Sequence, residues 1–326
     1  MAYKTLITVF LISAVPLAIL LALEIKSPSN ATSYPYQSQG WFRECSKWDD
    51  HDRRFIVSFM EGGIGQISVP KNEESRSPFL KEDLLVKDAD LGGNGTLGLR
   101  IDRPRNRLVV AVADVWGNRF GAVASYDLST WRRLFLTVLA GPEDGESLAD
   151  DVAVDEEGNA YVTDAKGNRI WKVGPKGELL STIMSKAFSE RKEWYYNLVG
   201  LNGIAYHPNG YLLVLHTSSG ALFKVDIATE EVTKVVLVRG SLITGDGIEL
   251  LSPTKLAVAG AVPSCRVVTS SDDWVTAAVV ERYMGPMHRF ASSVTVKDGK
   301  VYVNHLFGLG LWQRKHLITE AVFSPL

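Results

Sequence analysis

After Ser33 the hydrophobic positions along the chain keep no helical period. A shorter pattern recurs instead: a small or polar residue, a brief apolar alternation, a turn, then a β-branched run. Ala149-Asp150-Asp151-Val152-Ala153-Val154-Asp155 leads through Glu156-Glu157-Gly158-Asn159 to Ala160-Tyr161-Val162-Thr163-Asp164. Asn202-Gly203-Ile204-Ala205-Tyr206-His207 leads through Pro208-Asn209-Gly210 to a second run ending at His216. Each predicts strand, tight reversal, strand. Gly62-Gly63-Ile64-Gly65 predicts another hairpin turn; a phosphate loop would need a following helix, which is absent. Superposing the copies gives equivalent strand starts at Glu44, Leu97, Asp150, Asn202, Asp246 and Ser292, spaced by 53, 53, 52, 44 and 46 residues. Repeats of this length holding several short strands are the mark of propeller blades. The expected fold is all-β, a six-bladed β-propeller over residues 41–326. A blade cannot bury both faces alone, so neighbours must stack radially and close a ring. A β-sandwich or a β-helix accounts less well for the repeat length. Residues 185–199 lack strand alternation and read as an inter-blade insertion with a helical turn, of the kind that covers a pocket.

The start of the chain is a separate element. Lys4 precedes an apolar run from Leu6 to Leu23, interrupted by Thr8, Ser13 and Pro16. Residues 1–25 therefore read as a signal peptide or a signal anchor. Residues 5–23 are about long enough to span a bilayer, so membrane anchoring stands beside cleavage. Residues 26–40 are expected to be a linker. The implied destination is the secretory pathway: extracellular, vacuolar, or anchored in the ER or another membrane. Asn30-Ala31-Thr32 and Asn94-Gly95-Thr96 satisfy the glycosylation triplet, which makes Asn30 and Asn94 candidate N-glycan sites. In an oxidising compartment Cys45 and Cys265 could pair; two buried thiols are the equal alternative. The chain is 46% hydrophobic, enough for a large core, and its formal net charge of −2 offers no basic field for nucleic acid.

The equivalent strand starts carry the chemistry. In a propeller the innermost strands begin at one end of a central channel, so residues at matching phase converge on the axis. Glu44, Asp150, Asn202 and Asp246 all bear oxygen donors. Three carboxylates and an amide without basic partners repel one another, and a bound cation relieves that. Hard oxygen donors without Cys or His favour Ca2+, with Mg2+, Mn2+ and Zn2+ as the other candidates. Taken singly, Asp-Gly and Asn-Gly are ordinary turn pairs; their shared phase is what singles them out.

These residues resemble the regucalcin/gluconolactonase (SGL) group of propellers in the calcium-dependent phosphotriesterase superfamily, with paraoxonases and strictosidine synthases as more distant relatives. Arg43-Glu44-Cys45-Ser46-Lys47-Trp48 is similar to the family's Gly-Glu-x-Pro-x-Trp opening. Asp150-Asp151 stands where the family has Asn-Asp-Gly, with Val152 in place of its glycine. Leu201-Asn202-Gly203-Ile204 and Thr244-Gly245-Asp246-Gly247-Ile248 are similar to its Asn-Gly and Pro-Asp-Gly strands. The resemblance implies that Glu44, Asn202 and Asp246 bind a divalent metal, with Asp150 at a fourth ligand position. It also implies a catalytic-base role for Asp246. The third repeat, from Val154 to Ile170, is similar to an NHL repeat, whose propellers are often binding modules.

Second strands return to the metal end, so Asp114, Asp164, His216, Asn304 and His305 are expected at the pocket mouth. His216 and His305 are candidate general bases or acids, with turn-capping or core histidines as the alternative. His288 is a weaker candidate of the same kind. The chain has no Gly-x-Ser-x-Gly elbow, Walker loop, dinucleotide fingerprint or His-Glu-x-x-His motif. The expected activity is metal-dependent hydrolysis of a small lactone or ester, with the metal polarising the carbonyl and Asp246, His216 or His305 activating water. A strictosidine-synthase-like enzyme of small-molecule biosynthesis and a non-catalytic NHL-like secreted propeller with a structural metal are the alternatives.

Overall fold

The computed structural model describes residues 31–71, 79–189, 194–310 and 312–326. The apolar run at the start and Asn30 lie outside them. Among the described residues no helix is long and apolar enough to cross a membrane.

The chain runs as successive antiparallel meanders. After β1 (Ser33–Ser38) come β2 to β5 (Arg43–Asp49, Arg54–Phe59, Ile64–Ser68, Leu80–Val86) and β6 to β9 (Gly95–Asp102, Arg107–Ala113, Gly121–Asp127, Arg133–Ala140). Next are β10 to β13 (Ala149–Val154, Ala160–Asp164, Arg169–Val173, Leu179–Met184) and β14 to β17 (Leu201–His207, Tyr211–His216, Ala221–Asp226, Val232–Arg239). Then follow β18 to β21 (Gly245–Ser252, Lys255–Gly260, Cys265–Thr269, Thr276–Tyr283) and β22 to β24 (Ala291–Lys297, Lys300–His305, Arg314–Glu320). A short β25 (Ser324–Pro325) pairs with β21. The first strands of the meanders contact one another in a closed cycle: β2, β6, β10, β14, β18, β22 and back to β2.

The last meander has only three strands of its own, and β1 supplies the fourth by pairing antiparallel with β24 from Ser33↔Thr319 to Ser38↔Arg314. This corrects the linker expected over residues 26–40. Only one face of an outer strand is buried, and β1 has the matching alternation: Tyr34 and Tyr36 point inward while their neighbours are half exposed. Tyr36 stacks on His316 of β24, ring centroids 5.2 Å apart. A chain segment from before the first meander thus closes the last one.

Burial follows strand position. Second strands are packed on both faces and read as continuous apolar runs, such as Arg107–Ala113 and Tyr211–His216, in which every residue is buried. Outer strands such as Val232–Arg239 are mostly exposed. Each hydrophobic cluster lies between adjacent meanders: Tyr161 and Ile170 pack with Leu212 and Phe223, and Leu213 and Leu215 pack with Val258 and Val268. Turn chemistry is as the sequence indicates. Gly62 and Gly63 take positive φ of 87° and 120° between β3 and β4, a conformation open to glycine at little cost.

Each first strand carries the same irregularity. Its register with the second strand breaks between Arg43 and Ser46, Thr96 and Leu99, Ala149 and Val152, Leu201 and Ile204, Gly245 and Ile248, and Ala291 and Ser293. A bulge of this kind re-aims side chains and sharpens the twist. Neighbouring first strands come very close there. A Cβ on Gly203 would stand 2.4 Å from Asp246 O and 3.0 Å from Ile248 N. Gly203→Ala is therefore expected to destabilise the fold by about 1–3 kcal/mol, read as a lower urea midpoint. Gly141→Ala, whose Cβ would find no atom nearer than 3.8 Å, should leave the midpoint unchanged. Equal midpoints for the two variants would show that the strands are not in contact at Gly203.

Candidate functional site

The bulge holds the residues that the repeat phase aligns. Glu44, Leu97, Asp150, Asn202, Asp246 and Ser292 each sit at the register break of their strand. Asp150 and Asn202 are buried, while Glu44 and Asp246 are half-buried. The carboxylates feel one another strongly. Burial, then Asp246, Asp150 and Asp151, push the Glu44 carboxyl well above the usual carboxylate range, with Lys47 opposing. Burial, then Asp246, Asp151 and Asp164, push the Asp150 carboxyl well above that range too. Burial pushes Asp246 up to about 7, against a hydrogen bond from the Asn202 side-chain amide. Glu44 Oε2 is a buried oxygen without a hydrogen-bond partner.

Leu97 and Ser292 do not contribute charge. Leu97 is buried. The Ser292 hydroxyl donates to Glu44 O, and Asn304 Nδ2 donates to Arg43 O at 2.6 Å and to Ser292 Oγ at 3.1 Å. Asn304 therefore joins the last meander to the strand that carries Glu44.

No protein-family model matches the chain, and no curated protein matches its sequence. Solved structures do resemble it. The major Malassezia sympodialis allergen Mala s 1 is 17% identical, with a TM-score of 0.67 over 88% of this chain and 95% of that one. A luciferin-regenerating enzyme is 13% identical, with a TM-score of 0.56 over 90% and 97%. The WD40 repeats of RRP9 are 10% identical, with a TM-score of 0.58 over 91% and 99%. The fold is that of a β-propeller. At these identities the likeness extends to the fold alone.

The oxygen-rich end of this propeller has hard donors and excess negative charge, which suits a hard cation. Among the described residues, however, no three carboxylate, thiol or imidazole side chains are grouped closely enough to hold an ion by themselves.

Three residues further along the same strands lies a second layer that the sequence reading missed. Lys47 Nζ stands 2.5 Å from Glu249 Oε2 and donates to Val294 O at 2.8 Å. Arg100 Nη1 stands 2.8 Å from Glu249 Oε1. Lys47 and Arg100 hold Glu249 down to about 2 despite its burial. Asp151 lies between the layers. Burial raises it to about 6, and its carboxylate accepts from Val152 N at 2.8 Å and Ile204 N at 3.3 Å. Only about 20 Å³ of cavity remains between this layer and Asp151. The same phase shifted by three positions would have found Lys47, Arg100 and Glu249.

The residues expected from the ends of second strands behave otherwise. Asp114 accepts from Gly117 N at 2.8 Å, Asp164 from Gly167 N at 2.8 Å, and His216 Nδ1 from Ser219 N at 3.4 Å. All three cap the turn that follows their strand, and desolvation lowers His216 to about 4. The buried His305 shares a 3.0 Å hydrogen bond between Nε2 and Thr319 Oγ1 on the neighbouring strand. His288 lies in the 3-10 turn Met287–Arg289 between β21 and β22.

Cys45 and Cys265 are both free and buried, in separate clusters. Asn94 is half-buried, and Thr96 of its triplet is fully buried, accepting from Phe59 N at 2.9 Å.

The insertion over residues 185–199 contains the 3-10 turns Lys186–Ser189 and Trp194–Asn197. It is anchored by Phe188 against Phe223 and leaves Trp194 exposed. An aromatic rim stands at the end where Glu44 lies. Phe42 meets Phe307 at 5.7 Å and the exposed Trp116 at 6.2 Å between ring centroids.

The second layer yields a pH prediction. A carboxylate with a depressed pKa adds stability above its unfolded value of 4.5, and that stability is lost as pH falls toward 2. Glu249→Gln should cost about 3–5 kcal/mol at neutral pH by leaving Lys47 buried without its counter-charge. It should also flatten the fall in stability between pH 4.5 and 2. Urea unfolding at several pH values measures both; parallel curves for the two proteins would refute the pairing.

Proposed function

We propose that the protein is a divalent-metal-dependent hydrolase of a lactone or other ester-like small molecule, built as a six-bladed propeller of the regucalcin/gluconolactonase kind. The closed cycle of first strands supports the blade count. The observation that carries the function is Glu44 Oε2, a buried, partnerless oxygen raised in pKa by the facing acids. Buried charges persist where something pairs them. Glu44, Asp150, Asn202 and Asp246 are the proposed ligands, Asn202 turning its amide oxygen rather than its NH2 to the ion, and Ca2+ is the proposed metal.

A cation held there would supply Lewis-acid polarisation of a carbonyl oxygen. Asp246 is the proposed general base, taking a proton from an attacking water. Phe42, Trp116 and Phe307 offer apolar surface to the body of the substrate. His216 is held at Nδ1 by Ser219 N, so Nε2 is the nitrogen by which it would exchange a proton. Residues 1–25 are read as the targeting segment that brings the protein to the secretory pathway.

A second reading keeps the ion but not the reaction: the cation pins the blades, and the propeller binds without turnover. Glu44, Asp150, Asn202 and Asp246 come from four different meanders, so an ion held among them would join those strands whether or not it turned over a substrate.

Thermal unfolding with Ca2+ and with chelator tests the metal. Saturation at about a hundred times Kd should stabilise the wild type by about 2.7 kcal/mol, and Glu44→Gln should abolish the gain. A lactone and ester panel then tests the reaction. Asp246→Asn should lower turnover by about 10²–10⁴-fold without loss of fold. Melting that ignores Ca2+ refutes the site. Ca2+-dependent melting with no turnover on any substrate supports the structural ion.

A further inference from the structure

On the face where Asp246 enters its strand, a second cavity of about 390 Å³ lies between the loop from β17 to β18 and the loop from β19 to β20. That volume is within the range of small-molecule sites. Its walls are largely apolar, formed by Ile243, Val262, Pro263 and Val279. Arg266 of β20 also lines it and is only 4% exposed. The guanidinium donates from Nη2 to Val262 O at 2.7 Å and to Ile243 O at 3.0 Å. Nη1 is buried without a partner. The exposed Arg282 lines the same cavity, and no aspartate or glutamate is among its described lining residues.

A buried guanidinium without a counter-charge is unusual, because buried charges are normally paired. Burial depresses the Arg266 pKa, and Leu326 also lines the cavity. Of the other buried arginines, Arg43 reaches Glu82, Arg54 reaches Asp49 and Arg107 reaches Asp102, while Arg289 donates to the Phe307 and Lys315 carbonyls. Space for the free end of Arg266 depends on Gly260, where a Cβ would stand 2.8 Å from Nη1.

We infer that this cavity binds a monocarboxylate with an apolar body, the carboxylate seated on Arg266 and the body against Ile243, Val262 and Val279. A carboxylate accepts a charge-assisted hydrogen bond from the guanidinium that is stronger than the one a neutral alcohol oxygen accepts. Engagement includes a turn of Nη1 out from beneath Gly260 toward the cavity, while Arg282 adds positive charge at the opening. This site is separate from the acid ring, whose own charge repels carboxylates, and it does not rest on the proposed hydrolysis.

Calorimetric titration of the full chain with phenylbutyrate and with phenylbutanol tests it. The acid should bind at least about tenfold more tightly than the alcohol, the margin of a charge-assisted hydrogen bond. Arg266→Met should remove that margin and leave alcohol binding unchanged. Ile243→Asp, at an exposed position, places a competing carboxylate beside Arg266 and should weaken the acid similarly, so the test survives if Arg266→Met fails to fold. Equal affinity for acid and alcohol, no binding of either, or unaltered acid binding by a folded variant would overturn the assignment.

Discussion

The close approach of neighbouring first strands at the bulge is the constraint on which the rest of the architecture depends. At the second bulge position some meanders place glycine, Gly98, Gly203 and Gly247, and each lies against the backbone of the next strand. The others place a side chain that ties into that strand. Asp151 accepts from Ile204 N, Ser293 Oγ accepts from Ser46 N, and Cys45 meets the Leu99 backbone. Both solutions close the ring at the same level. The first bulge position is then forced toward the axis, and there the chain has put Glu44, Asp150, Asn202 and Asp246. The contact that completes the fold therefore also concentrates negative charge.

That concentration is opposed by the layer beneath it. Lys47 lowers the pKa of both Glu44 and Asp151 while it is itself paired to Glu249. Two cations share one carboxylate in that layer, leaving a net positive charge under the acids. The compensation is partial, since Glu44, Asp150 and Asp246 remain raised. Between that ion-paired layer and Asp151 only about 20 Å³ of space remains.

Two sets of residues at the same end of the channel obey different rules. First-strand residues at the bulge are set by ring closure. Residues ending second strands are set by the turn they must cap, and Asp114, Asp164 and His216 do the same work with different atoms. A carboxylate or a neutral imidazole nitrogen can each accept the backbone N–H three residues on. A histidine in that role is held neutral by burial, as the fall of His216 to about 4 shows. Candidate chemistry at such a position is most often turn chemistry.

The sequence by itself determined the strand-and-turn grammar, the repeat phase and the identity of the residues that share the bulge. Those are local matters: a period of two residues, glycine where φ is positive, and an acid at matching phase in three of the six repeats. It also carried signals that went unread, the alternating tyrosines of Ser33–Ser38 and the layer three positions past Glu44. Only the tertiary structure decided which strand completes the last meander, because that pairing joins Ser33 to Thr319 across nearly the whole chain. It alone showed that Lys47, Arg100 and Glu249, distant in sequence, neutralise one another, and that Arg266 has no such partner. Charge balance depends on distances between side chains from different blades. The acid ring was legible because repetition brings like positions together; its counter-charges were not, because they come from unlike ones.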